Sequence, residues 1–117
     1  VVVDGLGVPL DLGRAVRRAT AGQRRAMTKR DGGCVFPGCT SPPSWSEAHH
    51  MVEWAAGGDT DVSGMASLCR HHHGVVHRTG WRIRATVDGH FWFGSPSGRT
   101  FWGQRHRRQR RGPIPDG

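Results

Sequence analysis

At 117 residues the chain is the size of one small domain, and 35% hydrophobic residues with 18 glycines leave it a lean core and many turns. A net charge of +8, from 17 Lys and Arg against 9 Asp and Glu, argues for a polyanionic partner, nucleic acid first, over charge that only aids solubility. No apolar run approaches a membrane span, and Val1-Val2-Val3 is too short for a signal-peptide core, so no membrane partner and a cytoplasmic location are expected.

All but one of the 17 basic residues are Arg, whose planar fork suits phosphate. The chain has no initiator Met and reads as a domain cut from a longer protein. Its three cysteines, Cys34, Cys39 and Cys69, are an odd number, which argues against a pure disulfide framework. Eight histidines, several of them beside those cysteines, argue for metal in a reducing compartment.

In chain order, residues 1–12 suggest one or two short strands broken by Gly5, Gly7 and Pro9. Thr20-Ala21-Gly22-Gln23 matches a capping box and predicts a helix over 21–30, stopped by Asp31-Gly32-Gly33. Cys34-Val35-Phe36-Pro37-Gly38-Cys39 is a turn between two cysteines. A strand is expected over 47–54, a loop at Gly57-Gly58-Asp59-Thr60-Asp61, a second strand over 65–68 and a helix over 70–78. Residues 81–87 alternate apolar and polar, the period of a half-buried strand. Asp88-Gly89 signals a hairpin returning through Phe91-Trp92-Phe93. Ser95-Pro96-Ser97-Gly98 turns again before Thr100-Phe101-Trp102. The tail 105–111 is a charge block. Four stretches follow: an N-terminal segment 1–30, a central unit 31–80, a C-terminal β-hairpin 81–104 and a basic tail 105–117.

Two metal constellations stand out. Zinc favours four tetrahedral nitrogen or sulfur ligands, often as two short-range pairs. Cys34 and Cys39 form one pair across a tight turn, and Cys69 and His72 form the other at a helix start. The pairs lie about thirty residues apart, so a structural Zn2+ would staple the domain. The second constellation joins His49 and His50 to His73 and His77. His73 and His77 are four apart and share a helix face. Adjacent strand residues point to opposite faces, so one of His49 and His50 can bind a metal while the other faces elsewhere in the cleft. Spacing does not choose between them. A metal ion, a neutral imidazole and a basic surface are what phosphodiester hydrolysis needs.

These residues resemble the HNH endonuclease family, of the ββα-metal superfamily. The likeness is to its branch common in actinobacteria, where an HNH domain with a structural zinc ends a longer protein. The match runs through Arg30-Asp31-Gly32-Gly33-Cys34, Phe36-Pro37-Gly38-Cys39, Glu47-Ala48-His49-His50, Trp54, Gly57-Gly58, Thr60, Leu68-Cys69, His72-His73 and His77. The resemblance implies an α+β fold: a small zinc-stapled domain with a ββα-metal core. It implies His49, His73 and His77 as ligands of one catalytic divalent ion (Mn2+, Ni2+, Zn2+ or Mg2+). It implies His50 as the general base, and Cys34, Cys39, Cys69 and His72 as the structural zinc site. The expected partner is double-stranded DNA, with Arg24, Arg25, Arg30, Arg70, Arg105, Arg107 and Arg108 as candidate contacts. The family's central Asn falls at Gly64, which has no side-chain amide, and many relatives have Cys where this chain has Ser46.

Two other readings compete. A zinc-stapled nucleic-acid-binding module with little cleavage is motivated by Gly64. An RNA-binding domain is suggested by Trp81, Phe91, Trp92 and Phe93 with Arg82, Arg84 and Arg99, which can stack and hold single-stranded bases. A small β-core of Trp and Phe explains the same aromatic residues.

Overall fold

The computed structural model describes residues 10–14, 16–52, 56–86 and 90–104. Among them the fold is a small α+β domain with two helices and two antiparallel sheets. Helix α1 spans Ala21–Asp31 and begins with the expected capping box. Gln23 N donates to Thr20 Oγ1 at 3.2 Å, and Thr20 N donates to Gln23 Oε1 at 3.0 Å, which satisfies two otherwise orphaned amides. Gly32 ends the helix at φ 70°, a left-handed conformation that a side chain resists.

The first sheet pairs β1 (Ser46–His50) with β2 (Met65–Cys69), in the register Ser46 to Cys69, Ala48 to Ser67 and His50 to Met65. Strand β1 stops short of the expected 47–54. Met51 N still donates to Gly64 O at 2.9 Å, after which the chain bends, and 53–55 lie outside the described residues. All five residues of β2 are buried, which marks it as the centre of the domain. Helix α2, Arg70–Thr79, leaves β2 directly, and the Cys69 sulfur caps it by accepting from His72 N.

The second sheet has the order β3-β4-β5, from Arg82–Ala85, Phe91–Gly94 and Thr100–Trp102. Strand β3 is shorter than the 81–87 expected, and the Asp88-Gly89 turn lies outside the described residues. Its inner face and β2 close one core of Val35, Ala66, Leu68, Val76, Ile83, Phe91 and Phe93, with Phe36 and Trp81 packed at the edge. Each large side chain buried there contributes on the order of 2 kcal/mol. Phe91 and Phe93 are therefore core residues, unable to stack on a base as the RNA-binding reading required. Gly103 joins this sheet to the rest. Its amide donates to Phe91 O, and an added Cβ would lie 2.8 Å from Val35 O.

Residues 10–14, 16 and 17 act as a strap; of the strands expected over 1–12, residues 1–9 lie outside the described residues, and 10–12 form only an isolated bridge. Asp11 bridges Asp61, Leu12 N donates to Thr60 O, Thr60 N to Gly13 O, and Gly13 N to Asp61 Oδ1. Helix α1 holds the same loop from its other side. Gln23 Nε2 donates to Thr60 O at 2.7 Å, and Arg30 donates to Val62 O and Met65 O, each at 2.7 Å. The stretches read separately in the sequence, 1–30 and 31–80, thus interlock at this loop. The tail 105–117 lies outside the described residues.

Candidate metal centres

The turn after α1, the end of β2 and the first turn of α2 bring Cys34, Cys39, Cys69 and His72 together, their ligand atoms all within 4.8 Å of one another. The His72 Nδ1 atom lies 3.4 Å from Cys69 Sγ and 3.7 Å from Cys34 Sγ. Tetrahedral zinc, with bonds of about 2.3 Å to sulfur and 2.0 Å to nitrogen, sets a sulfur–nitrogen edge of about 3.5 Å, so the group fits such an ion. Phe36 stacks flat on the His72 ring, with centroids 4.1 Å apart and planes 6° off parallel, and holds the ring's aim.

Burial and hydrogen bonding act on these ligand groups in opposite directions. Burial pushes the Cys34 thiol up to about 12, against backbone hydrogen bonds from Cys69 and Phe36. Cys39 is also buried, but the Ser41 hydroxyl and amide, with hydrogen bonds to Cys34 and Cys69, bring its thiol below the ordinary value. His72 is lowered by burial and by His71, which favours the neutral ring a metal needs. The Ser41 and His72 amides donate to Cys39 Sγ and Cys69 Sγ, the support expected around ligating thiolates. A buried group of three cysteines and one histidine can thus bind a metal such as zinc.

His49, His73 and His77 form the second group, also with ligand atoms all within 4.8 Å. Strand alternation puts Glu47 and His49 on the face of β1 turned to α2, where one helical turn stacks His73 and His77. The Nε2 atoms of His73 and His77 are 3.2 Å apart, close to the nitrogen–nitrogen edge of about 3.3 Å around a tetrahedral ion. Glu47 Oε1 accepts from His73 Nδ1 at 3.0 Å, which leaves the Nε2 lone pair for a metal. His49 is buried while His77 is exposed, so the group opens on one side. Burial first, then the charges of His73, His77 and His50, pull His49 down to about 4.

His50 lies on the opposite face of β1. Its Nε2 atom is 3.1 Å from Thr60 Oγ1 in the strapped loop. Burial, then the Arg17 charge and His73, lower its pKa and keep the ring neutral near pH 7. Spacing alone left His49 and His50 interchangeable and the resemblance assigned them; the fold sets them on opposite faces of β1. Sequence reasoning missed Glu47 as a support for His73, although its placement two residues before His49 on a strand was a usable signal. It also missed Arg17.

The candidate nucleic-acid contacts divide. Arg24, Arg25 and Arg70 are exposed. Arg30 is spent inside the fold instead. Its guanidinium grips Asp31 at 2.6 and 2.9 Å, donates to Val62 O and Met65 O, and lies 4.9 Å over the Phe91 ring. The last turn of α1 faces β2, so its Arg is a strut. Arg105, Arg107 and Arg108 lie outside the described residues. Gly64 closes a short helical turn before β2, and a Cβ there would meet only Asp59 O, at 3.8 Å. No helix among the described residues is long and apolar enough to cross a membrane.

No family model and no solved structure matches this chain. Two uncharacterised proteins of Mycobacterium tuberculosis are each 35% identical to it over 83 residues, 71% of the chain. An uncharacterised protein of Mycobacterium bovis is 33% identical over 81 residues, 69% of the chain. The matched stretch spans only 18% of the length of each of these relatives.

Proposed function

We propose that the chain is a metal-dependent endonuclease domain of the HNH, or ββα-metal, type that hydrolyses DNA phosphodiester bonds. One observation carries this reading: His49, His73 and His77 converge on one side of β1 while His50 stands on the other, held by Thr60. The order β1-β2-α2 supports it, because a hairpin running into a helix is the frame such a centre uses.

His49, His73 and His77 would hold the catalytic ion, and Cys34, Cys39, Cys69 and His72 a structural zinc. Three imidazoles favour zinc, nickel or manganese over magnesium. Bound there, the ion would neutralise charge on the phosphoryl group and the leaving oxygen. His50 takes the proton from the attacking water, a role its neutral ring permits. The exposed Arg17, Arg24, Arg25 and Arg70 hold the duplex by its phosphates, with the sequence-independent affinity that such contacts give.

The test is a supercoiled-plasmid assay on wild type and His50→Ala with magnesium, manganese, nickel or zinc, and with chelator. Metal-dependent nicking by wild type, lost in His50→Ala, is the expected result. Nicking that persists in His50→Ala removes the proposed base. A second reading rests on Gly64, which supplies no amide to the loop: a zinc-stabilised nucleic-acid-binding module with weak or no cleavage. Salt-sensitive DNA binding without nicking under any ion would favour it, and Gly64→Asn, whose Cβ would meet only Asp59 O at 3.8 Å, would then be expected to raise cleavage.

A further inference from the structure

We infer that Thr60 is the residue that positions His50 and selects its tautomer. The inference rests on His50 being the general base of the proposed hydrolysis and deepens that reading. It follows from counting protons at one hydroxyl. Thr60 Oγ1 lies 2.6 Å from Val16 O and 3.1 Å from Arg17 O. A carbonyl oxygen only accepts, so the single hydroxyl proton points at these two oxygens. His50 Nε2, at 3.1 Å from the same Oγ1, must then be the donor. The opposite arrangement would set Oγ1 against the Val16 carbonyl at 2.6 Å with no proton between them.

A neutral imidazole with its proton on Nε2 has its lone pair on Nδ1. Thr60 thus fixes which nitrogen of His50 can accept a proton. The hydroxyl is itself immobilised. Thr60 is fully buried, its amide donates to Gly13 O at 2.7 Å, and its carbonyl accepts from Leu12 N and from Gln23 Nε2. The strap, the capping-box Gln23 and the carbonyls of Val16 and Arg17 thereby converge on one ring nitrogen of His50. A side-chain amide at Gly64 is one way to steady this loop, and these bonds do so without it.

The test combines a spectroscopic and a kinetic readout on the zinc-loaded protein labelled with 15N-histidine. Long-range 1H–15N correlations should show His50 protonated on Nε2 in wild type and in Thr60→Ser. In Thr60→Val the ring should become a mixture of tautomers. On plasmid, Thr60→Val should lower kcat on the order of 100-fold at nearly unchanged KM, and Thr60→Ser should retain most of the rate. Zinc content at the cysteine centre reports whether each variant has folded. The inference is overturned if wild-type His50 carries its proton on Nδ1, a result that needs no variant. It is overturned equally if a folded Thr60→Val keeps the wild-type tautomer and rate. If no wild-type nicking occurs with any ion, yet the Nε2 proton depends on Thr60, the positioning stands and the nuclease reading falls.

Discussion

The Glu47 carboxylate accepts a hydrogen bond from His73 Nδ1 at 3.0 Å, from the neighbouring element and across 26 positions of sequence. A carboxylate behind a histidine raises the basicity of the distal nitrogen and fixes the ring. Replacing Glu47 with Ala should weaken metal binding at the three-histidine centre by about 10- to 100-fold. Zinc bound by the cysteines, connected to that centre only through α2, should be affected far less. Competition titration with a metal-sensitive dye separates the two centres, and equal affinity in Glu47→Ala and wild type would show the contact to be incidental.

Arg30 predicts a clean split between stability and binding. Truncating it leaves Asp31 buried without its fork, and the Val62 and Met65 carbonyls without a donor. Arg30→Ala should cost about 3 kcal/mol in urea denaturation. The exposed pair Arg24→Ala with Arg25→Ala should instead leave stability within about 0.5 kcal/mol and reduce the salt dependence of DNA binding. Loss of DNA affinity in a still-folded Arg30→Ala would restore it as a contact.

The low pKa of His49 has a direction in pH. Its folded value, about 4, lies below the ordinary 6.5, so between these two the unfolded chain binds more protons and acid favours unfolding. The stability that His49 contributes is complete above about pH 6.5 and is lost as the pH falls toward 4, at most on the order of 3 kcal/mol. Without added divalent ions, wild type should therefore lose more stability than His49→Leu between pH 6.5 and 4.5. Parallel stability curves for the two proteins would remove the burial argument.

Much of this site is legible in the sequence because its parts are local. Cys34 and Cys39 span one turn, Cys69 and His72 span a helix start, and His73 and His77 share a face by helical period alone. Thr20 and Gln23 announce α1 four residues at a time. What spacing alone withholds is which side of β1 the second helix covers, and hence whether His49 or His50 meets it; only the resemblance chose. Arg30 looks like its solvated neighbours Arg24 and Arg25 until the end of α1 is seen against β2. Thr60 is harder still. Its bonds to Val16 and Arg17 cross more than forty positions and follow no periodic pattern.

Cys69 is at once the last residue of β2, the cap of α2 and a member of the cysteine centre. The helix it starts carries His73 and His77 to the other centre, within its first two turns. Whatever orders that helix start also sets the spacing of the two imidazoles. Were both centres to hold ions as proposed, they would be thermodynamically linked, an ion in either raising the affinity of the other by the same factor. On that reading zinc lost from the cysteines would loosen the start of α2 and weaken metal binding by His73 and His77 as well.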